Sequence, residues 1–158
     1  MDQKFFVSCL LVKNGKILML KKEKGRHLGQ WLFPGGEIQT HESALDTVKR
    51  EILTDIGLEL NQVDLRGIVH FMMQEFPEDP VLAKTTLNVF YSEDFIGEVK
   101  PSNKGTLEWV PMDDLLNRKI GRNDELFIPP MLQNPTITFA KFYHNKEKER
   151  VRYQIDSL

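Results

Sequence analysis

The sequence predicts an α/β (α+β) fold, a mixed sheet with helices and a C-terminal β-hairpin, and three observations point to it. Apolar stretches of strand length recur along most of the chain. One segment between them, Glu42 to Ile56, has apolar residues at helical spacing. The last twenty-odd residues read as two alternating stretches around a charged turn. At 158 residues, 41% hydrophobic and 28% charged, the chain fits one domain, residues 1–158, with a continuous core.

The elements follow in order. Phe5 to Val12 and Ile17 to Leu20 are strands joined at Asn14-Gly15, a dipeptide that accepts the positive φ of a tight hairpin. Lys21 to Gln30 is polar, carries Gly25 and Gly29, and reads as a loop leading into Trp31-Leu32-Phe33-Pro34-Gly35-Gly36. In the helix the apolar stripe is Leu45, Val48, Ile52 and Ile56, and Gly57 is its stop. Strands are expected at Gly67 to Met73, Thr85 to Tyr91 and Leu107 to Val110, with an acidic loop, Glu75 to Pro80, after the first. A short second helix runs from Asp124 to Leu132 despite Pro129 and Pro130. The terminal hairpin pairs Thr136 to Tyr143 with Arg150 to Ile155 across Asn145 to Glu149.

Composition excludes several classes of partner. A net charge of −2, with basic residues interleaved among acidic ones, argues against polymeric nucleic acid. No stretch reaches membrane-spanning length, so no membrane partner is expected. Cys9 is the only cysteine. It lies in an apolar strand, which excludes an intrachain disulfide and suggests a buried thiol in a reducing, cytoplasmic setting. The apolar pattern fits a monomer or a homodimer.

Chemistry concentrates on the first helix. Glu51 and Asp55 lie four residues apart and share a face, with Thr54 beside them. Like charges at that spacing repel by roughly 0.2–0.5 kcal/mol, a cost reversed when a divalent cation sits between them. Oxygen donors of this kind favour Mg2+, with Mn2+ an alternative. A lone acidic pair is, however, more often a solvated helix face partnered by residues such as Lys49 and Arg50, so spacing alone does not decide it.

A longer pattern does. Gly36, five residues, Glu42, seven residues, then Arg50-Glu51-Ile52-Leu53-Thr54-Asp55-Ile56-Gly57-Leu58 resembles the 23-residue Nudix box, here residues 36–58. The resemblance implies the Nudix fold, a mixed sheet between helices, and metal-dependent cleavage of a phosphoanhydride bond in a nucleotide. By position it implies that Glu51, Asp55 and the Gly36 carbonyl hold metal and that Arg50 orients Glu51. Glu42 would brace the loop, Gly57 would end the helix, and Glu51 or Asp55 would help deprotonate the attacking water. Two positions depart from the family pattern: Thr54-Asp55 stands where Glu-Glu is usual, and Lys104-Gly105 where a further glutamate is common. Glu75, Glu78 or Asp79 are candidates to supply the missing acid.

The segment Gly121 to Gln133 and the terminal hairpin resemble the MutT-type branch of the family. That branch implies oxidised purine triphosphates such as 8-oxo-dGTP as substrates, yielding the monophosphate and pyrophosphate, and a role in nucleotide pool sanitation. The resemblance matches Asn123 and Asp124 to a pair of acids that read the purine edge, and Ser8 to a small hydroxyl residue of the base pocket. His70 and Met72 fall near aromatic positions of that pocket. Asn123 and Asp124 also read as an ordinary helix cap, and His70 as a packed strand histidine. Lys22, with its basic neighbours, is a candidate phosphate contact or a solvated loop residue. Leu32 and Gly121 replace an asparagine and a tryptophan of the branch's animal members, and Trp31-Leu32-Phe33-Pro34 is more similar to its bacterial members. Alternatives are another nucleoside diphosphate derivative (ADP-ribose, a nucleotide sugar or a dinucleoside polyphosphate) and a nucleotide-binding module with weakened catalysis.

Overall fold

A computed structural model describes residues 1–158. The chain runs β1 (Asp2–Lys13), β2 (Lys16–Lys22), β3 (Trp31–Leu32), β4 (Gly35–Glu37), α1 (Ala44–Glu51) continued by a π-helical turn (Ile52–Ile56), β5 (Leu58–Met73) and β6 (Ala83–Gly97). It continues with β7 (Gly105–Pro111), a 3-10 turn (Met112–Asn117), α2 (Asp124–Gln133), β8 (Thr138–His144) and β9 (Arg150–Ser157). The β1–β2 turn uses Asn14 at φ 52° and Gly15 at φ 73°, the pair of left-handed residues that an Asn-Gly hairpin needs.

The strands form one mixed sheet in the order β3-β2-β1-β6-β5-β8-β9, with β4 added to β1 and β7 to β2. β1 runs parallel to β6, and β5 parallel to β8; the remaining pairings are antiparallel. Alternation along β1 sends Val7, Cys9 and Leu11 into a core with Val48, Ile52 and Ile56 of the first helix. Leu10 and Val12 point the other way, into a core with Phe127, Ile128 and Met131 of α2. The sheet thus lies between helices, each covering one face, as the fold class predicts. Burial of Cys9 pushes its thiol above the ordinary range. No helix is long and apolar enough to cross a membrane.

Three details differ from expectation. The first helix starts at Ala44, two residues later than periodicity suggests, because Ser43 caps it. The Ser43 hydroxyl accepts from Asp46 N at 3.0 Å, and Asp46 Oδ2 accepts from Ser43 N at 3.0 Å, a reciprocal capping box. Leu45, expected in the apolar stripe, is 43% exposed. β5 begins nine residues earlier than Gly67, since Leu58 to Arg66 also pairs with β6, through three irregularities in register. At Gly67 the backbones and α2 come close: a Cβ there would overlap Met131 Cε and crowd the Thr138 carbonyl.

Candidate active site

Gly35 and Gly36 enter the sheet opposite Ser8 and Val7 of β1. A side chain at Gly35 would collide with the Val7 carbonyl, and one at Gly36 would occupy the place of the Glu51 carboxylate. The two glycines thus let the loop lie flat between the sheet and the helix, with Glu51 against the bare Cα of Gly36. The side chain of Glu51 is only 16% exposed.

Arg50 organises this corner. Its Nε and one terminal nitrogen donate to Glu42 at 2.6 and 2.9 Å, and the other donates to Glu51 Oε1 at 3.0 Å. Glu42 Oε1 also accepts from Gln39 N and from the Thr47 hydroxyl. The Arg50 guanidinium holds the Glu42 carboxyl down to about 2, and the same bonds raise Arg50 itself. Arg50 therefore fixes one oxygen of Glu51 and leaves Oε2 free of it.

Asp55 completes an acidic pair. The Ser102 hydroxyl donates to it at 3.0 and 3.2 Å, from the loop before β7. Gly57 closes the helix at φ 89°, its N–H bonded to the Ile52 and Leu53 carbonyls. Thr54 is exposed and turns its hydroxyl back to the Arg50 carbonyl at 2.8 Å, so it adds nothing to the acidic face.

Lys104 lies among these groups. Its ammonium donates to the Gly35 carbonyl at 3.0 Å and stands 3.5 Å from Glu51 Oε2 and 3.8 Å from Asp55 Oδ2. The carbonyl that joins the carboxylates is thus that of Gly35, where the resemblance implied that of Gly36; Gly36 contributes its missing side chain. No third Asp, Glu, His or Cys groups with the pair, so Glu75, Glu78 and Asp79 do not supply the missing acid. The donors are all hard oxygens and fit Mg2+ or Mn2+ in kind. Glu51, Asp55 and the Gly35 carbonyl are the residues that would hold such an ion, sharing their oxygens with Lys104.

A second group of the residues singled out in the sequence lies on the α2 face. Asp124 is one helical turn before Phe127 and Ile128, which are buried against the sheet, so it projects to the same side. Burial pushes its carboxyl up to about 7, in spite of a backbone hydrogen bond from Gly121. Gly121 leaves room for it: a Cβ there would stand 3.3 Å from Asp124 Oδ2. Ser8 points to this face, alternating with Val7 and Cys9, and Trp31, Phe33, Phe71 and Leu87 are partly buried there.

Asn123 does not cap α2 with its side chain. Its amide nitrogen donates to His144 Nε2 at 3.1 Å, and its oxygen accepts from Arg150 at 3.1 Å. The terminal hairpin therefore anchors this residue, which no local pattern reveals. Burial and Arg150 lower His144, keeping it a neutral acceptor. Lys22 lies opposite Gly105 in the β2–β7 pair, next in sequence to Lys104. His70 does not join this group. Val69 and Phe71 face α2, so His70 between them faces away, bonded to Thr86 Oγ1 at 3.0 Å, on the opposite side of the sheet from Asp124. Met72 shares that parity, and the residue that faces α2 is Phe71.

The NUDIX domain model matches residues 4–129. The chain belongs to the Nudix hydrolase family, whose members act on phosphoanhydride bonds. It is 25% identical over 150 residues to an uncharacterized Nudix hydrolase, YvcI, of Bacillus subtilis, covering 94% of this chain and 92% of that one. It is 28% identical over 130 residues to the oxidized purine nucleoside triphosphate hydrolase of Danio rerio, covering 82% and 80%. Among solved structures, a mutator MutT protein of Bacillus halodurans superposes with a TM-score of 0.85 at 28% identity, covering 97% of each chain. The Nudix box of this chain contains Gly36, Glu42, Arg50, Glu51, Asp55 and Gly57, the residues gathered around the acidic corner.

Proposed function

We propose that this Nudix chain hydrolyses a nucleoside triphosphate to the monophosphate and pyrophosphate, with an oxidised purine such as 8-oxo-dGTP as substrate. The observation that carries this reading is the placement of Asp124, a carboxyl buried on the α2 face beside Gly121, where burial favours the protonated form. A carboxyl that holds its proton to about pH 7 offers one donor and one acceptor to a base edge that presents the complement. Ser8, on the same face, is the register partner of Gly35, and the Gly35 carbonyl faces the acidic corner. A nucleotide whose base rests by Asp124 therefore has its phosphates directed across one strand pair toward Glu51 and Asp55. The name of the Danio rerio relative supports the same substrate class.

The protein's own part is positioning and charge. Arg50 and Ser102 fix one carboxylate each, so both present oxygens without reorganisation. Glu51 Oε2, the oxygen free of Arg50, is the acceptor for a proton leaving water. A divalent ion held by Glu51, Asp55 and the Gly35 carbonyl would supply phosphate charge neutralisation and a polarised water. Trp31, Phe33, Phe71 and Leu87 provide the apolar wall for a purine. The test is a Mg2+-dependent pyrophosphate-release screen across nucleotides. Release from 8-oxo-dGTP at least as efficient as from the ordinary dNTPs is expected; no release from it, with good turnover of ADP-ribose or a nucleotide sugar, overturns the reading.

One observation favours a second reading, a nucleotide-binding module with weakened catalysis: the ammonium of Lys104 between the two carboxylates. Wild-type turnover that Glu51→Gln abolishes excludes it.

A further inference from the structure

We infer that Lys104 is a tethered cation that competes with the divalent ion for the Glu51–Asp55 pair, and that it leaves this seat when a metal–nucleotide complex enters. The inference rests on the metal-dependent reading of the site given above.

Three features carry it. The ammonium bonds the Gly35 carbonyl at 3.0 Å and pairs with one oxygen of each carboxylate, Glu51 Oε2 at 3.5 Å and Asp55 Oδ2 at 3.8 Å. A lysine charge this close to both carboxylates offsets the repulsion that would otherwise draw a cation in, so a metal gains less on binding. The local backbone is built to hold it there. Ser102 Oγ accepts from Lys104 N at 3.1 Å while donating to Asp55. The next residue, Gly105, packs its Cα on the Lys21 carbonyl, where a side chain would collide. The loop is thereby pinned on both sides of the lysine, and only the side chain is free to move. That side chain is 41% exposed, and its four-carbon stem is flexible. It has solvent to swing into, whereas Glu51, at 16% exposure, and Asp55, at 18%, do not.

The lysine therefore works in two positions. Seated, it neutralises the acidic pair in the free protein, where no third carboxylate is present to strengthen a metal site. Displaced, it remains tethered beside the corner, where it meets the phosphates that accompany the metal. The result is a site that takes a bare divalent ion weakly and a metal–nucleotide complex well.

The experiment measures Mn2+ binding to the full chain without nucleotide, by the loss of the free-ion signal in electron paramagnetic resonance. Lys104→Met should bind Mn2+ roughly tenfold or more tightly than wild type. Lys104→Arg should stay near wild type, and Glu51→Gln should bind least. Thermal unfolding of the same set guards against misfolding: Mn2+ should raise the Tm of Lys104→Met by more than that of wild type. Equal affinity in wild type and Lys104→Met, with Glu51→Gln still impaired, overturns the competition while leaving the hydrolase reading intact. Absence of Mn2+ binding in Lys104→Met, even at millimolar ion, overturns both the competition and the metal reading on which it rests.

Discussion

Arg50 and Glu42 form a two-point ion pair across the loop that precedes the helix, with contacts of 2.6 and 2.9 Å. The third nitrogen of the same guanidinium holds Glu51. The loop, the helix and the Glu51 carboxylate are thus fixed by a single planar group, a task that a lysine at position 50 could not perform.

Glu42→Gln should therefore destabilise the protein in a pH-dependent way. The Glu42 carboxyl is lowered from 4.5 to about 2, so its stabilising contribution is complete above about pH 4.5 and is lost as pH falls toward 2. The difference in Tm between wild type and variant should be constant from pH 6 to 8 and shrink below pH 4.5, as calorimetry across that range would show. A difference independent of pH would mean that the ion pair does not hold the loop.

Gly36→Ala should impair turnover more than folding. The added methyl group falls on Glu51 Cδ and Oε1, and the flexible end of Glu51 is what gives way. A displaced catalytic group of this kind costs on the order of 100-fold in kcat. Steady-state kinetics with the best substrate from the screen, beside a melting curve, tests this. A kcat within twofold of wild type contradicts it.

Asp124→Asn should stabilise the protein at alkaline pH. The carboxyl is raised from 3.8 to about 7. Between those values the unfolded chain releases a proton that the folded chain keeps, so ionisation opposes folding increasingly from about pH 4 to 7 and then levels off. The variant should melt several degrees higher than wild type at pH 8 and at the same temperature at pH 4. For the wild type, KM for an oxidised purine nucleotide should rise as pH passes 7, with kcat unaffected by this group. A flat KM profile would show that Asp124 does not meet the base as an acid.

Gly67→Ala tests the packing of α2 on the sheet. Its methyl group would overlap Met131 and crowd the Thr138 carbonyl, and overpacking of this kind costs about 1–3 kcal/mol. Chemical denaturation should show a lower midpoint with an unchanged slope.

The acidic corner was legible in the sequence because it is local: Gly36 to Gly57 supplies Glu42, Arg50, Glu51 and Asp55 from one loop and one helix. Of what reaches the corner from elsewhere, Lys104 was marked only through the family resemblance, as standing where a glutamate is common, and Ser102 was not marked at all. Ser102 and Lys104 arrive through the pairing of β7 with β2, and His144 and Arg150 reach Asn123 through the terminal hairpin. Neither pairing leaves a trace in nearby spacing. The first half of β5 escaped for a different reason, since bulges between Leu60 and Gly67 break the two-residue alternation by which strands are read. His70 shows how sensitive face assignments are. The half of its strand from Gly67 to Met73 was read correctly, but a shift of one residue separates Phe71, which faces α2, from His70 on the other side.

The π-helical turn from Ile52 to Ile56 joins the two acids, with Glu51 on the regular helix before it and Asp55 inside it. Its closing N–H, that of Gly57, is shared between the Ile52 and Leu53 carbonyls, five and four residues back. Turns of this kind are rare and occur mostly as single turns within an α-helix. Deleting a residue between Ile52 and Asp55 would set the acids three apart and rotate the second by about 100° around the helix axis. It would leave Ser102 and its hydroxyl facing a different side chain. The pairing of the two acids therefore depends on the residue count of an irregular turn.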